Sequence, residues 1–137
     1  MPRILFIDDE EQIRATMGAL LKVAGYEVVT AGDGRQGVEL FRQQAFDLVI
    51  TDVVMPRMGG AETIAALRQL RPDIKVLATY GGGRVAGPKT VATAQRLGAD
   101  RLLVKPFSGE ELFAAVADVL RGGKDDPDPP GTTAAFE

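Results

Sequence analysis

Short apolar runs alternate with stretches of helical periodicity five times along this chain, and that alternation restricts the fold more than any other feature. Residues 3–7, "RILFI", form a continuous apolar run ending in acids, the pattern of a strand buried on both faces. After it, Ile13, Met17, Leu20, Leu21 and Ala24 recur at helical spacing, and Gly25 stands where a left-handed cap would end the helix. Residues 26–31 read as a second strand, with Asp33-Gly34 as a turn opening a helix around Val38 and Phe41. The third unit is a strand over 47–51, ending in Asp52, and a helix over 62–70 with Ile64 and Leu67 inward, stopped by Pro72. A fourth strand over 74–79 leads through a glycine-rich loop to a weakly amphipathic helix over 90–97, closed by Gly98. Strand 101–105 and helix 108–120 complete the series. Ser108 and Glu111 have capping-box spacing, and Leu112, Val116, Val119 and Leu120 form the inward stripe.

Five βα units at this spacing imply an α/β fold: a parallel sheet with helices on both faces and right-handed crossovers. Beyond Arg121 the composition changes to "GGKDDPDPPGTTAAFE", almost devoid of core residues. The expected organisation is one domain over 1–121 and a disordered tail over 122–137, with no internal repeat.

The 137 residues include no cysteine, histidine or tryptophan. Disulfides, thiolate metal sites and histidine acid–base chemistry are thereby excluded. Any metal must be held by oxygen, which favours Mg²⁺ or Ca²⁺. A formal net charge of -3 gives no bulk attraction for nucleic acid, so direct nucleic-acid binding is not expected. The N-terminal apolar run before Asp8 is too short for a signal-peptide core or a membrane span, so a soluble, cytoplasmic protein is expected.

In open parallel sheets, ligands bind at the carboxyl ends of the strands where the strand order reverses. The first strand delivers Asp8, Asp9 and Glu10 there, the third Asp52, the fourth Thr79 and Tyr80, and the fifth Lys105-Pro106. Read singly, the acids after the first strand suit a helix cap, Asp52 a turn before Pro56, and Lys105 a solvated strand end. Read together, they gather carboxylates that repel one another unless a cation neutralises them. Oxygen-liganded Mg²⁺ is the natural candidate, and a carboxylate beside Mg²⁺ and an ammonium can attack a phosphoryl group.

The stretch "LATYGGGRVAGPKT" (77–90) comes within one residue of a phosphate-binding loop. Gly82 and Gly87 have the required separation, but Pro88 intervenes before Lys89-Thr90 and removes an amide donor. The dinucleotide pattern fails at Ala86. These glycines read instead as a connection to the next helix.

The set "ILFIDDE", "DLVITDVVMPRMGG", "VLATYGGGR" and "LLVKPF", in this order and spacing, closely resembles the receiver domain of bacterial two-component response regulators, over about residues 3–121. The resemblance implies a flavodoxin-like, doubly wound sheet of strand order 2-1-3-4-5, an order for which the family is a standing illustration. It further implies that Asp52 is the phosphoacceptor. Asp9, Asp52 and the backbone carbonyl of Val54 would ligate Mg²⁺, with Asp8 acting through a water. Lys105 would pair with Asp52 and later with the phosphoryl group, across a cis Lys105-Pro106 bond.

Two positions depart from the family. Receivers usually carry Ser or Thr at the end of strand 4, where Tyr80 aligns here; a register shift would offer Thr79 but turn it to the opposite face. Leu102 stands where many receivers have an aromatic residue. Tyr80, Thr79 and Leu102 are therefore the candidate switch residues.

The expected function is a stand-alone receiver, phosphorylated on Asp52 by a histidine kinase or phosphotransfer protein. It would signal to a downstream protein through the surface of residues 90–120, as a monomer or a weak phosphorylation-dependent dimer. A fragment of a longer regulator is the alternative organisation. A pseudo-receiver without a productive phosphoswitch is the alternative function, supported by Tyr80 and Leu102. A phosphohydrolase of the haloacid-dehalogenase type would need a second Asp where Val54 stands, so turnover catalysis is not expected. A flavodoxin-like cofactor carrier lacks a hydroxyl-rich phosphate nest.

Overall fold

A computed structural model describes residues 1–53, 59–80 and 98–122. Its elements in chain order are β1 (Arg3–Ile7), α1 (Glu11–Val23), β2 (Glu27–Ala31), α2 (Gly34–Gln43), β3 (Leu48–Asp52), α3 (Gly60–Leu70), β4 (Lys75–Tyr80), β5 (Arg101–Val104) and α4 (Gly109–Leu120). Val54, the glycine loop from Gly81, the expected helix over 90–97 and the tail from 123 onward lie outside the described residues.

All four strand pairings are parallel, and the order is β2-β1-β3-β4-β5, as the resemblance implied. The chain leaves β1 toward one edge of the sheet and continues from β3 toward the other. The reversal therefore falls between β1 and β3, the place where open parallel sheets bind ligands at their carboxyl ends.

Strand alternation divides the core in two. Ile4 and Phe6 of β1 point with Leu48, Ile50 and Leu77 into a cluster covered by Leu21 of α1 and by Leu112, Ala115, Val116 and Val119 of α4. Leu5 and Ile7 point the other way, with Val49, Val76 and Ala78, under Val38 and Phe41 of α2 and Ile64 and Leu67 of α3. Both faces of the central strands are thus covered, which is why β1 and β3 read as continuous apolar runs. Each fully buried Ile, Leu or Phe contributes about 1.5–3 kcal/mol by leaving water.

Local signals placed the helix ends well. The Asp33 side chain accepts from the Gln36 amide at 2.8 Å, opening α2. Ser108 and Glu111 form the reciprocal capping box of α4, with bonds of 3.0 and 2.9 Å. Gly25 has φ +103°, a conformation that glycine adopts without steric cost, and it ends α1. Ala24, expected inward, is exposed, because it is the C-cap and already lies past the last helical turn.

Candidate functional site

Asp8 follows β1 directly, Asp52 is the last residue of β3, and Lys105 follows β5 directly. Asp8 and Asp52 are completely buried, and the Lys105 side chain is only 3% exposed. The Lys105 ammonium stands 2.8 Å from Asp52 Oδ2, 2.9 Å from Asp8 Oδ2 and 3.4 Å from Glu10 Oε1. An ammonium has three N–H donors, so three carboxylates match its full complement. Two buried carboxylates without this cation would be prohibitively costly, which explains why the lysine must reach inward. The Lys105-Pro106 bond is cis, as the resemblance implied.

Burial alone would lower the Lys105 pKa. The hydrogen bonds and charges of Asp52 and Asp8 outweigh that effect and hold it above the ordinary lysine value of 10.5. Lys105 is therefore a fixed positive charge at neutral pH.

Three of the four polar atoms of Asp8 are hydrogen-bonded. Its amide donates to the Ala31 carbonyl at 3.1 Å, and its own carbonyl accepts from Arg14 Nη1 at 2.7 Å. Oδ1 accepts from the Glu10 amide at 2.8 Å. Oδ2 faces Lys105 but has no well-directed hydrogen bond. Sequence reasoning missed Arg14. The available signal was its position one turn after Glu10 on the helix that starts at the acids.

Among the described residues, the carboxylates that converge within 4.8 Å of one another are those of Asp8, Glu10 and Asp52. Asp9, expected as a direct ligand, contributes no oxygen to this group, whereas Glu10, given no ligand role from the sequence, does. Three hard oxygen donors around an incompletely satisfied buried oxygen fit a divalent cation of the Mg²⁺ type.

Parallel register decides how Thr79 and Tyr80 sit. Asp52 pairs with Thr79 two residues beyond the pair Ile50–Leu77, whose side chains face the α1/α4 cluster. Thr79 therefore shares the face of Asp52. It is completely buried, and among the described residues its hydroxyl has no hydrogen-bond partner. Tyr80 is half-buried and packs on the opposite cluster, together with Ala78 and the buried Leu102. Its carbonyl accepts from the Lys105 amide at 2.7 Å, so the backbone of Tyr80 anchors the lysine even though its ring lies on the other face.

Gly60 fixes the other side of Asp52. A Cβ at Gly60 would lie 2.5 Å from both the Asp52 carbonyl oxygen and Val53 Cα, and its amide donates to the Val53 carbonyl at 3.0 Å. The start of α3 thus presses against the backbone that carries Asp52.

The family model of the response regulator receiver domain matches residues 4–117. Among curated proteins, the chain is 39% identical over 119 residues to the ycf27 regulator of Guillardia theta, covering 87% of this chain and 45% of that protein. It is 36% identical over 124 residues to the transcriptional regulatory protein CpxR of Escherichia coli K12, covering 88% of this chain and 50% of that one. The chain spans about half the length of these curated relatives. Among solved structures, chemotaxis protein CheY4 of Vibrio cholerae superposes with a TM-score of 0.81 at 34% identity, covering 87% of this chain and 98% of that one. With its fold, its buried cluster of acids around Lys105 and these relatives in agreement, the chain belongs to the response regulator receiver domain family.

Proposed function

We propose that this chain is a phosphoacceptor receiver, taking a phosphoryl group onto Asp52 from a histidine kinase or histidine phosphotransfer protein. The observation that carries this reading is the convergence of buried Asp52 and Asp8 on the Lys105 ammonium at the point where the strand order reverses. In the transfer, a carboxylate oxygen of Asp52 attacks phosphorus. The P–N bond of the donor phosphohistidine breaks, and its electron pair leaves with the imidazole nitrogen. Lys105, charged and already 2.8 Å from Asp52, neutralises the negative charge that gathers on the phosphoryl oxygens.

Mg²⁺ would be held by oxygens of Asp8 and Asp52, with Asp9 and the Val54 carbonyl as the further donors that the family resemblance assigns. When bound, it supplies charge neutralisation at the phosphoryl oxygens. Tyr80, Thr79 and Leu102 are assigned to the switch, with the Tyr80 ring and Leu102 moving together because they share one cluster. Output is by contact with a downstream protein, as a monomer or a phosphorylation-dependent dimer.

Intact-mass analysis after incubation with acetyl phosphate tests this reading. A Mg²⁺-dependent phosphoryl adduct is expected in the wild type and absent in Asp52→Asn. Folded wild type without an adduct under any condition would instead identify a pseudo-receiver, an interaction module with the fold but not the chemistry.

A further inference from the structure

Resting on the reading above, we propose that Glu10 is a positioning residue: it receives the Lys105 ammonium when a divalent cation takes oxygens of Asp8 and Asp52. The two oxygens nearest the ammonium, Asp8 Oδ2 and Asp52 Oδ2, belong to carboxylates of the converging group. A dication and an ammonium cannot hold the same oxygens, because their own repulsion at such range is large in a buried site. Lys105 must therefore shift when the cation enters.

The lysine has little freedom to do so. Its side chain is 3% exposed, and a buried ammonium left without a counter-charge is strongly unfavourable. Glu10 is the third carboxylate already on it, at the longer distance of 3.4 Å, and its side chain is 34% exposed. The Glu10 backbone is meanwhile pinned: its amide donates to Asp8 Oδ1 at 2.8 Å and its carbonyl accepts from the Arg14 amide at 3.0 Å. A fixed backbone with a half-open side chain is what a receiving group needs.

Glu10 in this role acts through Lys105, not on the cation itself, and a double-mutant cycle separates the two. Mg²⁺ dissociation constants would be measured by titration calorimetry for the wild type, Glu10→Gln, Lys105→Met and the double variant. Glu10→Gln is expected to weaken Mg²⁺ roughly fivefold or more in the wild-type background, the usual lower range of coupling between sites. In the Lys105→Met background the same change is expected to do little. Equal weakening in both backgrounds, or none in either, overturns the proposal alone. Wild-type protein that binds no Mg²⁺ at millimolar concentration overturns it together with the phosphoacceptor reading.

Should Lys105→Met fail to fold, the side-chain ammonium resonance of Lys105 in ¹H–¹⁵N spectra supplies the second readout. In Mg²⁺-saturated wild type it is expected to stay sharp and slow to exchange, and in Glu10→Gln to broaden or vanish. An unchanged ammonium signal in Glu10→Gln overturns the proposal.

Discussion

Asp52 and Lys105 are 53 residues apart in sequence, yet their side chains meet at 2.8 Å in a place closed to solvent. The contact is possible because β3 and β5 flank β4 in parallel, so their carboxyl ends reach the same rim. Lys105 is the counter-charge that lets two acids be buried side by side, and this asymmetry separates the variants of the site.

Lys105→Met is expected to cost about 3–5 kcal/mol, the range for removing one partner of a buried ion pair, because Asp8 and Asp52 are then left facing each other. Asp52→Asn should cost less, since Lys105 keeps Asp8 and Glu10. Urea unfolding of both variants measures the difference. Millimolar Mg²⁺ should restore part of the loss in Lys105→Met, a dication standing in for the ammonium.

Stability should also depend on pH through Lys105. Its folded pKa is raised above 10.5, so its contribution is complete below 10.5 and is lost as pH rises through the higher folded value. With a chelator present, the stability gap between wild type and Lys105→Met should be flat across neutral pH and narrow only in the alkaline range above 10.5. A gap that closes near neutrality would contradict the ion pair.

Thr79 carries a buried hydroxyl without a partner among the described residues, a condition that costs about 1–3 kcal/mol. Thr79→Val keeps the shape and removes the polar atom, so thermal unfolding should show a gain of about 1 kcal/mol. If the phosphorylated protein at the same time loses its phosphoryl group faster in Thr79→Val, the hydroxyl has a use that the resting structure leaves unfilled.

Gly60→Ala should be destabilising by about 1–3 kcal/mol, as over-packing against unyielding backbone is. The new methyl would meet the Asp52 carbonyl oxygen and Val53 Cα at 2.5 Å, and neither can rotate away. Loss of stability accompanied by slower phosphorylation from acetyl phosphate would report that Asp52 itself has been displaced. Unchanged melting would mean that the start of α3 is not seated as described.

Element order, the buried character of the central strands, the caps at Asp33 and Ser108 and the gathering of acids and lysine at strand ends were all legible in the sequence. Periodicity, capping and turn chemistry are local properties. The choice between adjacent residues was not legible. Thr79 or Tyr80 depends on strand register, and a slip of one residue exchanges the two faces. Only pairing across the sheet fixes it: Asp52 against Thr79 puts Thr79 on the site's face and the Tyr80 ring on the other. Glu10 joins Lys105 across 95 residues for the same reason. These contacts belong to the packing of separate elements, which no local pattern of residues encodes.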